Sequence, residues 1–220
     1  MILAVVFDVG ECRVDETREY GTRADWLGVA RHTFHAMFGA VIAQGRDDRE
    51  VFQEFRPGFD LCEEGEKRAA SGQPETFGEE DLYEDVRPSL TRLRSDGFWL
   101  GIAGSQTIRA GKILRELFAD GVDLIGTSDD WGAGKPDPAF FHRLAEAVPF
   151  SKDGILYVGD RIDNDIRPAG AAGMHTALVR RGPWATIQWS SAEAERLPSF
   201  RVEGLGELCG LIKNFNDSTD

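Results

Sequence analysis

Lysine is scarce in this chain. Five lysines stand against twenty arginines, and acidic residues outnumber basic ones 38 to 25. The net charge of −13 argues against the basic surface that nucleic acid or an anionic membrane demands. It also requires an anionic ligand to be drawn in by local positive charge, since the global field repels it. The acidity otherwise reads as a solvated surface. Cysteine is equally sparse: Cys12, Cys62 and Cys209 are odd in number, far apart and never in a CxxC pair. That argues against a disulfide framework or a zinc site and suits reduced thiols in a cytoplasm. Cys12 lies close to Asp8 but reads as a buried, inert thiol. No apolar run approaches the roughly 18 residues that span a bilayer. The N-terminal run reaches Asp8 without a basic n-region or a small-residue cleavage site, so it does not read as a signal peptide. Internal repeats and low-complexity segments are absent.

Hydrophobic residues at 41% and charged residues at 29% are ordinary for a globular protein, and 220 residues hold one large domain or a core with a smaller insert. Residues 2–7 form a short apolar, partly β-branched run ending at Asp8, the pattern of a buried parallel strand. Comparable runs occupy 98–103, 122–125, 155–158, 176–179 and, more weakly, 200–202. Helical patterns separate them at 89–95, 107–118, 138–147, 165–172 and 205–212. This alternation predicts an α/β fold built on a doubly wound, mostly parallel sheet, in which ligands bind beyond the carboxyl ends of the strands. The segment 14–86 breaks the alternation. It carries helix-like periodicity over 23–44 and 49–55, with Trp26, Phe34, Met37, Phe38 and Val41 as core positions. It is expected to be an inserted helical domain between core segments 1–13 and 87–220.

Four short segments carry chemistry. Phe7-Asp8-Val9-Gly10 places a carboxylate at a strand end, where it can attack phosphorus or ligate a metal; the bland reading is an Asp that opens a turn. Gly159-Asp160 with Asp163 and Asp165 clusters three acids at a strand-to-helix junction, the hard oxygen donors that magnesium prefers. For Asp163 and Asp165, helix capping competes equally with metal contact. Lys135 stands between glycine and proline in Gly134-Lys135-Pro136-Asp137-Pro138, a stiff loop in a lysine-poor chain. An ammonium held there offsets carboxylate repulsion and binds a transferring phosphoryl group. In Gly104-Ser105-Gln106-Thr107 a loop leads from strand to helix, where backbone N–H groups cradle phosphate; capping by Ser105 or Thr107 is the compatible alternative.

In order and spacing these residues resemble the haloacid dehalogenase superfamily, in its phosphatase-rich branch with a helical cap inserted after the first motif. The resemblance runs from residue 2 to about 184. It implies a Rossmann-like core with Asp8 as nucleophile and magnesium ligand, and Gly10 lending its backbone carbonyl to the metal. Gly104 and Ser105 then bind phosphate, Lys135 stabilises it as a catalytic group, and Asp160 with Asp165 complete the Mg2+ site.

Two departures stand out. Position 10 is glycine, where the usual phosphatases carry a general acid–base Asp. Position 104 is glycine, where the family commonly has Thr or Ser, so the second-motif role falls to Gly104 or Ser105. The dehalogenase tyrosine is absent at position 10, and the phosphonate hydrolases' alanine and cap lysine fit poorly, Lys67 lying far along the insert. The expected activity is a magnesium-dependent phosphatase on a small phosphorylated metabolite, in a cytoplasm, with no nucleic-acid or membrane partner. Glu11, Asp15, His32 or His35 are the acids available to replace residue 10. The alternatives are dehalogenase-type hydrolysis, which needs no metal, and a non-catalytic binding protein on the same fold. The substrate's identity and the oligomeric state are not encoded legibly.

Overall fold

The computed structural model describes residues 1–218. The chain divides into two compact units, Met1–Asp15 together with the chain from Gly78 on, and Glu16–Phe77. In the first unit six strands form one sheet: β1 (Ala4–Phe7), β2 (Trp99–Gly104), β3 (Leu124–Thr127), β4 (Ile155–Gly159), β5 (His175–Val179) and β6 (Phe200–Val202). Their order is β3-β2-β1-β4-β5-β6, and every pair is parallel. This is the doubly wound α/β sheet that the alternation of runs predicts.

The topology positions the site. From β1 the chain winds outward to β3 on one side, then returns to β4 and winds outward on the other. The reversal leaves a crevice at the carboxyl ends of β1 and its neighbours. Phe7 pairs with Ile102 on β2 and with Val158 on β4, so Asp8, Gly104 and Asp160 emerge at one sheet edge. β1 tolerates no polar residue before Asp8 because both its faces are covered, and Ala4, Val5, Val6 and Phe7 are fully buried. Ala4 and Val6 share a core with Phe140, Phe141 and Leu144 of the helix Pro138–Ala147 and with Ile155 and Tyr157 of β4. That helix starts where Asp137 accepts the Ala139 N–H at 2.8 Å and Pro138 presets the first turn.

The second unit is helical, with helices Thr17–Leu27, Arg31–Ala43, Val51–Phe55 and Leu61–Ala70. The expected single periodic stretch 23–44 is two helices, because Gly28 takes φ 72° and ends the first. Tyr20, Phe34, Phe38 and Phe52 form its aromatic core, with Tyr20 and Phe38 edge to face at 4.8 Å. Trp26 is tied through its indole N–H to Glu64 at 2.8 Å. The self-contained unit is shorter at both ends than the expected insert. Val14 bridges antiparallel to Leu82, the Asp15 N–H donates to Asp81 O at 2.8 Å and the Tyr83 N–H to Arg13 O at 3.1 Å, so these residues belong to the sheet-bearing unit.

Candidate active site

Asp8 follows β1 directly. Its N–H donates to Val158 O at 2.8 Å, and its main-chain oxygen accepts from Arg13 Nε at 2.8 Å. Asp165 reaches the same point by another route. After Asp160 the chain makes one wide π turn, Ile162–Ile166, in which the Ile166 N–H reaches back to Arg161 O at 3.1 Å. Such turns recur at functional sites because the extra residue re-aims a side chain. Here the turn points Asp165 inward, where its Oδ2 accepts the Arg161 N–H at 3.0 Å. Asp8, Asp160 and Asp165 are all buried, and each offers a carboxylate oxygen within 4.8 Å of the others. Asp163 lies outside this group, engaged by Arg161 at 2.8 Å and Gln188 at 3.2 Å.

Lys135 is brought into the cluster from the loop after β3. Its side chain is 2% exposed, with Nζ 2.7 Å from Asp8 Oδ1 and 2.5 Å from Asp165 Oδ1. The Lys135–Pro136 peptide is cis. Burial works against the ammonium, but Asp165 and Asp8 outweigh it and hold its pKa well above the ordinary lysine value. Burial, the lysine's opposing pull and the charge of Asp8 leave the Asp165 carboxyl raised to about 6. Burial and the repulsion of Asp165 and Asp8 raise Asp160 well above the carboxylate range. Three acids against one ammonium leave an excess of negative charge around hard oxygen donors. A divalent cation such as magnesium fits this donor set, with Asp8, Asp160 and Asp165 as its side-chain ligands.

The two glycines at the strand ends are spaces that carboxylates fill. A Cβ on Gly104 would lie 2.9 Å from Asp8 Oδ1 and 3.0 Å from Val9 Cγ2, and a Cβ on Gly159 would overlap the Asp165 carboxylate. Ser105 does not cap the following helix. Its Oγ accepts the Lys135 N–H at 2.8 Å, while Thr107 caps Ile108–Leu117 through the Ala110 N–H at 3.0 Å. The hydroxyl of Ser105 keeps its own proton to donate. Gly10 has its carbonyl on the Cys12 N–H at 2.6 Å, and its second lone pair stays available. Next to it Glu11 holds a left-handed conformation, φ 50°, and accepts a hydrogen bond from Tyr83 Oη at 2.5 Å.

The structure therefore brings Asp8, Asp160 and Asp165 within 4.8 Å of one another and Lys135 onto Asp8 and Asp165, with Gly104 against Asp8 and Ser105 on the Lys135 N–H. After β5, Arg180 pairs with Glu203, Arg181 with Asp85 and the Cys12 carbonyl, and Trp184 with the Arg161 guanidinium at 3.8 Å. Sequence reasoning missed Arg13 and the space-making role of Gly159. Nothing in the local pattern marks an arginine for burial, whereas a glycine just before an Asp at a strand end was a usable signal.

Residues 132–208 match the family model described as HAD-hydrolase-like. The glyceraldehyde 3-phosphate phosphatase of Methanopyrus kandleri is 32% identical over 133 residues, 60% of this chain and 56% of that protein. The ribulose-1,5-bisphosphate 5-phosphatase of Halopiger xanaduensis is 30% identical over 61% of this chain and 58% of its own length. The chain thus spans little more than half the length of the curated relatives it matches. The HAD-hydrolase YfnB of Bacillus subtilis, determined bound to magnesium, shares the fold at a TM-score of 0.70 and 19% identity, over 96% of this chain and 98% of that one.

Proposed function

We infer from the family match over 132–208 and the phosphatase relatives that this chain is a member of the haloacid dehalogenase superfamily, and from that premise propose that it is a magnesium-dependent phosphatase acting on a small phosphorylated metabolite in a cytoplasm. One observation carries the reading: Lys135 Nζ bridges Asp8 Oδ1 and Asp165 Oδ1 at 2.7 and 2.5 Å inside a buried three-carboxylate cluster at the sheet's switch point. Relatives named for phosphate-ester hydrolysis support it, and dehalogenase chemistry, which needs no metal, leaves the excess of buried acids without a purpose.

In this reading a carboxylate oxygen of Asp8 attacks phosphorus, the bond to the leaving oxygen breaks, and an aspartyl-phosphate forms. Water then attacks that phosphorus, releases inorganic phosphate and regenerates the carboxylate. Lys135 holds the Asp8 carboxylate and offsets the charge of the transferring group. Ser105 pins the lysine loop through the Lys135 N–H and turns its one remaining O–H toward the phosphoryl oxygens. Asp8, Asp160, Asp165 and the Gly10 carbonyl would hold the metal, which when bound would neutralise the carboxylates and the phosphoryl oxygens.

The test is hydrolysis of para-nitrophenyl phosphate with magnesium and after its removal by chelation. Turnover that requires magnesium is expected. Turnover of a haloacid without metal, in place of phosphatase activity, sinks the reading. The glycine at position 10 sets a further expectation. General acid help is worth about 10²–10⁴-fold, and no side chain at residue 10 can protonate the leaving oxygen. An aryl phosphate, whose leaving group needs little protonation, should turn over at least tenfold faster than an alkyl phosphate. Equal rates would show that another acid acts fully in its place.

Gly104→Ala supplies a third check. The added methyl carbon stands 2.9 Å from an oxygen that Lys135 already pins, so Asp8 or Val9 must move. A shift of that kind lowers kcat by about 10–100-fold. Steady-state kinetics beside a thermal melt measures it, and an unimpaired variant would mean that the carboxylate has room to spare.

A further inference from the structure

Arg13 is fully buried and leads the large side chains that are completely enclosed. Among the described residues its guanidinium makes a single hydrogen bond, from Nε to the main-chain oxygen of Asp8 at 2.8 Å. Nη1 and Nη2 are buried with no hydrogen-bond partner among the described residues. The guanidinium carbon sits 5.0 Å from the Phe118 ring centroid and 5.9 Å from that of Phe7, so aromatic faces replace the missing acceptors. The residue's own backbone is locked, its N–H on Val9 O at 3.0 Å and its carbonyl under the Tyr83 N–H at 3.1 Å. Burial pulls its pKa down to about 10, which leaves it charged at neutral pH.

An arginine in such a place costs stability. A buried charge without full pairing is a net penalty, and an apolar side chain of similar bulk would fill the space without it. Among the described residues, the one hydrogen bond its side chain makes falls on the main-chain oxygen of Asp8. Asp8 lies one residue beyond the last ladder pair of β1, so its carbonyl has left the sheet. The Asp8 N–H is held by Val158, and among the described residues Arg13 alone holds its carbonyl. With both main-chain groups held, the backbone of Asp8 is fixed, and its carboxylate starts from one place beside Lys135.

We propose that Arg13 is a positioning residue, a buried guanidinium clamped between Phe118 and Phe7 that holds the main-chain carbonyl of Asp8 and so aims its carboxylate. The proposal rests on the reading of Asp8 as nucleophile for its effect on rate, but the clamp itself is measurable without any turnover.

The experiment compares full-length wild type, Arg13→Leu and Arg13→Lys by three readouts: kinetics on para-nitrophenyl phosphate with magnesium, thermal unfolding, and hydrogen exchange over residues 7–14. For Arg13→Leu, kcat should fall about 10–100-fold with KM little changed, as small misplacements of a reacting group cost that much. The unfolding midpoint should hold or rise, since the buried charge is gone. Exchange should quicken in 7–14 while the rest of the sheet keeps its protection. Arg13→Lys, which keeps a charge and a donor, should retain more activity than Arg13→Leu. A kcat loss that only tracks a lower melting point would make Arg13 a structural residue, and unchanged exchange over 7–14 would overturn the clamp. Asp8→Asn with undiminished activity would overturn the nucleophile assignment instead and leave the exchange result to judge Arg13 alone.

Discussion

Asp8→Asn is expected to remove magnesium-dependent turnover of para-nitrophenyl phosphate, with kcat falling by about 10⁴–10⁶-fold, the range seen when a catalytic nucleophile is replaced. The exchange is nearly isosteric. Asparagine can still accept from Lys135 Nζ through its oxygen, and the main-chain contacts of residue 8 to Val158 and Arg13 do not depend on the side chain. What disappears is the oxygen proposed to attack phosphorus and one of the three carboxylates that could hold a metal ion. One buried negative charge fewer means less repulsion within the cluster, so the metal-free protein should melt no lower than wild type. Folding and chemistry are thereby separated in one variant. Residual activity with the same metal dependence as wild type would show that another residue attacks phosphorus.

The second large effect is expected at Lys135, where Lys135→Met should lower kcat by about 10³-fold or more, the cost of losing a transition-state charge partner in a dry site. It should also destabilise the metal-free protein, because removing one partner of a buried pair costs about 3–5 kcal/mol. The pH dependence of that loss follows from the carboxylates. Asp165 is already raised to about 6 in the folded protein, against 3.8 for an ordinary aspartate. A carboxyl raised on folding stabilises below its unfolded pKa, and that contribution is lost as pH rises through the folded value. Without the lysine, the opposing downward pull on Asp165 is gone and its folded pKa moves higher still. At pH 5 the variant escapes much of the penalty by protonation; at pH 8 its buried acids carry more negative charge and no lysine offsets it. The difference in melting temperature between wild type and Lys135→Met should therefore widen from pH 5 to pH 8. Magnesium should restore the melting point at pH 8 without restoring kcat. A pH-independent difference would mean that the acids do not share the buried charge.

The elements that were legible share a physical property: their pattern is local. Residues 2–7 read as a buried strand because a strand covered on both faces has no polar position to interrupt it, and β1 is such a strand. The helix 138–147 was legible to the residue because a capping Asp and a first-turn Pro mark its start. Where the periodicity ran across a glycine, as at Gly28, the pattern alone did not show the break. The helix Leu61–Ala70 was not anticipated, since Glu63, Glu64, Glu66 and Lys67 leave little apolar signal and its stability comes from an N-cap and charge pairs.

The site divides in the same way. From the sequence came the residue types at strand ends, Asp8 and Asp160, and in the segments that follow strands, Lys135 and Asp165, and hence the class of chemistry, because a doubly wound sheet delivers strand ends to one edge whatever else the chain does. Only the tertiary structure decided among the alternatives at each position. It put Asp165 in the cluster and Asp163 outside it, because a single wide turn rotates one inward and the other toward Arg161 and Gln188. It gave the Ser105 hydroxyl to the lysine loop, and showed Gly104 to be glycine because the Asp8 carboxylate occupies the space where a side chain would begin. It buried Arg13 behind the same aspartate. These outcomes depend on distances between residues far apart in the chain, and composition, periodicity and spacing hold no information on how close two such side chains come.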